Sequence, residues 1–167
     1  MNISTDYEGL ILTTDFTKED VDYCIKRHLE IYSEEFNLSQ VFFDNVVNLV
    51  GEFYENYDPE TDFMLVARDN GRFAGTITMI GEDKGNARLR FFFVEPFTRG
   101  KGVGKLLFTT AMQLSKDMGY THAYFSTFNI NKIARTMYRK LGFRMTDEER
   151  AEEFGHGVIE ETWEKDL

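Results

Sequence analysis

The segment Arg99-Gly100-Lys101-Gly102-Val103-Gly104 joins two runs of different hydrophobic period, and no other stretch constrains the fold as much. Upstream, Leu89 to Val94 is apolar or β-favouring at nearly every position, and Glu95-Pro96 follows. Downstream, Val103, Leu106, Leu107, Thr110, Ala111 and Leu114 recur at helical spacing. The spacing therefore predicts strand, glycine loop, helix. The three glycines let backbone approach a ligand closely, and the opening turn of a helix leaves its first N–H groups unpaired. Those donors, the helix dipole and the flanking Arg99 and Lys101 suit a phosphate or diphosphate.

Two familiar anion-binding motifs do not fit. A P-loop needs a hydroxyl after Gly-Lys, but Leu106 follows Gly104-Lys105. A dinucleotide fingerprint needs Gly-x-Gly-x-x-Gly and an acid about 20 residues on, whereas these glycines are spaced by two and Gly119-Tyr120-Thr121 supplies no acid. A glycine turn that merely caps a helix is the remaining plain reading.

The chain has 167 residues, 42% of them hydrophobic, which suits one domain over 1–167 with a full core. Its single cysteine, Cys24, excludes an intramolecular disulfide and a four-cysteine metal site. No apolar run reaches membrane-spanning length and residues 1–8 do not read as a secretory signal, so the expectation is a cytoplasmic protein without a membrane partner. A formal charge of −10 weighs against nucleic acid as a partner and is compatible with a cationic substrate.

Along the chain, Tyr7 to Leu12 reads as a first strand and Thr17 as the N-cap of a helix from Lys18 to about Phe36. A second helix starts at Ser39. Phe63 to Ala67, Phe73 to Ile80 and Ala87 to Val94 read as an antiparallel meander, with a hairpin turn at Asp69-Asn70-Gly71. Helix Val103 to Met118, strand Thr121 to Thr127, helix Ile130 to Leu141 and a strand starting at Gly142 follow. Asp147 to Glu153 reads as an acidic solvent-facing stretch and Val158 to Trp163 as a last strand. The expected fold is mixed α/β, a mostly antiparallel central sheet flanked by helices.

Two motifs in this order carry a resemblance: Arg99-x-x-Gly102-x-Gly104 after a strand, and Asn131-x-x-Ala134-x-x-x-Tyr138-x-x-x-Gly142-Phe143 further on. Together they resemble the GNAT superfamily of N-acetyltransferases. Glu35-Phe36, Phe154-Gly155 and Glu161-Thr162-Trp163 extend the likeness to bacterial acetyltransferase domains found alone or fused to helix-turn-helix regulators.

The resemblance implies acetyl-coenzyme A as cosubstrate, no metal, and transfer of the acetyl group to a primary amine of a small molecule or protein. It also implies a homodimer. Cofactor contacts would fall on Arg99, Gly100, Lys101, Gly102, Val103, Gly104 and Lys105 at the diphosphate, with Phe93, Val94 and Asn131 along the pantetheine arm. Phe92 and Phe93 point to opposite sheet faces, so only one can border the thioester. Tyr138 fits the general acid, and Glu95, at the end of the motif strand, stands as candidate base. His28, Tyr32 and Glu35 share one helix face and form the candidate acceptor surface. The alternative is a non-catalytic acyl-coenzyme A-binding or interaction module.

Overall fold

Asn70 and Gly71 both take positive φ, 49° and 83°, the mirror-image turn geometry that joins twisted strands with a two-residue loop. That hairpin pairs β3 (Phe63–Asp69) with β4 (Arg72–Glu82), and β5 (Asn86–Val94) completes the meander. In the computed structural model, which describes residues 1–167, these strands form the middle of an eight-stranded sheet. Strands β1 (Asn2–Ser4) and β2 (Leu10–Thr13) extend one side. On the other side lie β6 (His122–Phe128), β7 (Arg144–Arg150) and β8 (Ile159–Asp166). The spatial order is β1-β2-β3-β4-β5-β6-β8-β7, antiparallel except for β5 beside β6. The mixed, mostly antiparallel sheet flanked by helices is as the sequence led us to expect.

Every residue of β3 from Phe63 to Ala67 is buried, because helices cover both faces of the sheet. Leu65 and Ala67 pack with α3 (Val103–Asp117) and α4 (Lys132–Lys140), through Leu107, Phe108 and Tyr138. Met64 and Val66, one residue out of phase, pack with α1 (Lys18–Glu35) and α2 (Gln40–Glu55), through Val21, Phe42 and Val50. A capping box fixes the start of α1: the Thr17 hydroxyl accepts from the Asp20 N–H, and the Asp20 carboxylate accepts from the Thr17 N–H.

Two local expectations are corrected. Tyr7 to Leu12 is not one strand; Gly9, at φ 83°, ends a turn closed by the Leu10 N–H on the Tyr7 carbonyl, and β1 lies before it. The acidic stretch after Met145 is exposed, but Asp147 to Arg150 belongs to an edge strand. Every side chain of β7 is exposed, so no hydrophobic alternation marks it; pairing with β8 makes it a strand.

Candidate active site

The one parallel pair in the sheet comes apart. β5 and β6 are in register only over Asn86–Arg88 and His122–Tyr124, yet β5 continues to Val94 and β6 to Phe128. A bulge accompanies the split: Phe91 and Phe92 stand opposite the single residue Ile77, between the Thr78–Arg90 and Thr76–Phe93 pairs. Phe91 takes φ 52°, a left-handed conformation that a bulky side chain holds only when packing fixes it. The Glu95 N–H donates to the Ala74 carbonyl at 2.8 Å, toward β4. Alternation therefore turns the main-chain groups of Val94 and Phe92 into the split, where no strand meets them.

The glycine loop closes one end of this opening. From Gly100 to Lys105 no main-chain N–H reaches a backbone acceptor; the next one, at Leu106, donates to the Gly102 carbonyl at 3.0 Å. Gly100 and Gly102 sit at φ 77° and 82°, which aims successive donors outward. Gly104 has a different reason to lack a side chain. A Cβ there would stand 3.2 Å from the Phe92 ring and 3.4 Å from Val94 Cγ2. Lys105 joins Lys132 and Lys140 of α4 along a groove between α3 and α4, a cationic edge on an otherwise acidic chain. Donors without acceptors, a tight cradle and clustered ammonium groups fit a polyphosphate ligand.

At the bulge end lies a cavity of about 330 Å³ between the sheet and helices α1 and α2. His28, Tyr32, Phe92, Asn131 and Tyr138 all border it. Tyr138 is 3% exposed and held among Phe125, Phe108 and Trp163, with ring centroids 4.6, 5.6 and 5.5 Å away. Burial, reinforced by Tyr32 and Glu161 and opposed by Thr127, keeps its phenol well above the usual tyrosine range, so it carries its proton at any physiological pH. Tyr32 is pushed up to about 12, chiefly by burial. His28 is pushed down to about 4 by burial, against a hydrogen bond to Cys24. Its Nδ1 lies 3.0 Å from the Cys24 carbonyl, which can only accept, so Nδ1 bears the hydrogen and Nε2 is the ring acceptor. Asn131 is the N-cap of α4 but makes no side-chain cap bond, which leaves its amide uncommitted at the cavity.

Three expected site residues stand elsewhere. Phe93 packs its ring 4.9 Å from His28 and 5.8 Å from Phe73 in the core under α1, and Phe92 is the member of the pair that borders the cavity. Glu95 is 4% exposed and outside the cavity lining. Arg27 Nε donates to its Oε1 at 2.7 Å and Arg27 Nη2 to its Oε2 at 2.8 Å, while the Tyr23 hydroxyl donates to Oε1 at 2.9 Å. These three hydrogen bonds hold the Glu95 carboxylate in an ion pair against α1 and outside the cavity lining. Glu35, at the exposed end of α1, is paired with Arg99, whose Nε donates to the Val94 carbonyl at 3.2 Å. It bears on the glycine loop and not on the cavity.

The cavity also holds Arg88, Arg90, Phe91 and Glu160, none of which the sequence reading singled out. A signal existed. Arg88 and Arg90 are i and i+2 in an otherwise apolar strand, so they share one face that cannot be plain core. No cluster of three metal-ligating side chains occurs, and no helix is long and apolar enough to cross a membrane.

Comparison with known proteins agrees with this geometry. Residues 25–143 match the family described as Acetyltransferase (GNAT) family. An uncharacterized N-acetyltransferase of Schizosaccharomyces pombe is 29% identical over 125 residues, spanning 73% of this chain and 76% of its own. Human N-acetyltransferase 8B is 33% identical over 86 residues, 48% of this chain but only 38% of that protein's length. Among solved structures, a GCN5-related N-acetyltransferase from Kribbella flavida shares the fold at TM-score 0.74 and 22% identity, covering 96% of this chain and 99% of its own.

Proposed function

The chain belongs to the GNAT family of acetyltransferases, and on that premise we propose that it transfers an acetyl group from acetyl-coenzyme A to a primary amine. The observation that carries this reading is the run of unsatisfied N–H groups from Gly100 to Lys105 at the mouth of the split between β5 and β6. Gly100 to Lys105 would hold the diphosphate, with Lys105, Lys132 and Lys140 near the remaining negative charge. Val94 and Asn131 would bond the amides of the pantetheine arm.

Each step then has a residue. The Phe92 N–H, on the unpaired edge of β5, is placed to bond the thioester oxygen as negative charge gathers on it. The neutral His28 offers Nε2 to a hydrogen of the incoming amine and orients its lone pair; with its affinity for protons lowered by burial, it directs the amine without retaining the proton. A new C–N bond forms, the C–S bond breaks, and the amine proton leaves to water in the open cavity. Tyr138 donates its hydrogen to the departing sulfur and recovers one through the water that took the amine proton, since burial favours the protonated phenol at both ends of the step.

Titration calorimetry with acetyl-coenzyme A, followed by thiol-release assays over a broad panel of amines, tests the reading. Saturable binding and amine-dependent thiol release support it; absence of binding at millimolar ligand overturns it.

A further inference from the structure

The cavity contains two opposite charges, Arg90 and Glu160, that feel one another but make no ion pair at contact distance. Arg90, half-buried on β5, faces the α1–α2 side and has no carboxylate at ion-pair distance and no hydrogen bond. Burial and then repulsion from Arg88 hold its guanidinium below the usual arginine range. Arg88 is partly committed, 3.7 Å from Glu82 and over the ring of Tyr124. Directly across from Arg90 on β4, the Thr78 hydroxyl is the one buried side-chain polar atom left without a partner. Glu160 reaches the same cavity from β8, also half-buried and without an ion-pair partner. Burial and Glu149 raise its carboxyl, against the pull of Arg88 and Arg90. Apolar surface from Phe42, Leu49, Phe91 and Phe128 fills the rest of the lining.

Leaving charges partly desolvated and unpaired is costly, and an ion that completes the pairing recovers that cost. We propose that the acceptor is an α-amino acid with an apolar side chain, or a close derivative, whose carboxylate is bound by Arg90 and whose amino group is drawn in by Glu160. A carboxylate matches the single uncommitted guanidinium, which can grip it with two parallel N–H bonds. A doubly charged phosphate would crowd negative charge against Glu160. The surplus of acid over the whole chain would favour polyamines, but the cavity itself places two arginines where such a cation would sit. This inference rests on the acetyl-transfer reading above and narrows its substrate.

The test uses the full chain with acetyl-coenzyme A and matched acceptors that differ only by the carboxylate: phenylalanine with phenethylamine, leucine with isoamylamine, and spermidine as the cationic control. The wild type should favour the carboxylated member by at least about tenfold in kcat/KM. Arg90→Met should erase that preference through KM, and Arg90→Lys should restore part of it. Calorimetry with N-acetylphenylalanine gives a readout independent of turnover, with binding expected for wild type and lost in Arg90→Met. Circular dichroism establishes that each variant is folded. Equal or better use of the decarboxylated amines or spermidine, or a preference that survives Arg90→Met, overturns the amino-acid inference and leaves acetyl transfer standing. Failure to bind acetyl-coenzyme A overturns both.

Discussion

Arg27 and Glu95 form a two-pronged ion pair, 2.7 and 2.8 Å, that ties the middle of α1 to the residue where the motif strand ends. Glu95 is only 4% exposed, so the pair fixes α1 against the end of β5. Removing one partner leaves a buried charge. Arg27→Met should lower unfolding free energy by about 3–5 kcal/mol, read from urea denaturation. Glu95→Gln, which keeps the shape and loses the charge, should likewise act on stability before turnover. A shift in the pH–rate profile of Glu95→Gln, with stability intact, would return Glu95 to the role of base.

Tyr138→Phe removes one oxygen from a ring that Phe125, Phe108 and Trp163 keep in place. Turnover should fall about 10²- to 10⁴-fold, the usual range for a proton donor, while acetyl-coenzyme A affinity changes little. Steady-state kinetics beside calorimetry separates the two. Equal losses in both would assign Tyr138 to binding.

His28 makes stability depend on acid. Its folded-state value of about 4 lies below the ordinary value near 6.5. Between those limits the unfolded chain binds the proton and the native chain does not, so stability is full above pH 6.5 and falls as pH drops toward 4. The loss attributable to this ring is about 3 kcal/mol. Urea denaturation at pH 7 and pH 4.5 should show a smaller drop for His28→Gln than for wild type, and identical drops would count against a buried neutral imidazole.

Gly102→Ala and Gly104→Ala should weaken acetyl-coenzyme A binding for unlike reasons. Gly102 faces open space at φ 82°, so alanine strains the backbone by about 1–2 kcal/mol and tilts the donors. Gly104 has an ordinary φ but sits against Phe92 and Val94, so alanine pushes on the cradle itself. Melting temperature should fall more for Gly102→Ala, and cofactor affinity, by calorimetry, should fall for both.

Glu35→Gln should leave acceptor KM unchanged and alter acetyl-coenzyme A affinity, because Glu35 reaches Arg99 and not the cavity. An effect on acceptor KM alone would restore it to the acceptor surface.

Amino-acid sequence alone determined the helices, the β3-β4-β5 meander, the capped start of α1, the Asn70-Gly71 hairpin and the glycine loop, but not β1 or the exposed edge strand β7, since each of the former depends on neighbours within a few residues: a periodicity, a cap, a positive φ. His28, Tyr32, Asn131 and Tyr138 were also legible, through helix spacing and motif. Tertiary structure alone decided which charges meet. Glu95 looks free until Arg27, 68 positions earlier, folds onto it. Arg90 is half-buried only because α1 and α2 roof that face of β5, and Glu160 joins it only because β8 pairs with β6 as well as with β7. Local geometry is set by short-range sterics and hydrogen bonding, whereas pairing or stranding a charge depends on which distant segment desolvates it, and that is fixed only when the sheet order is complete.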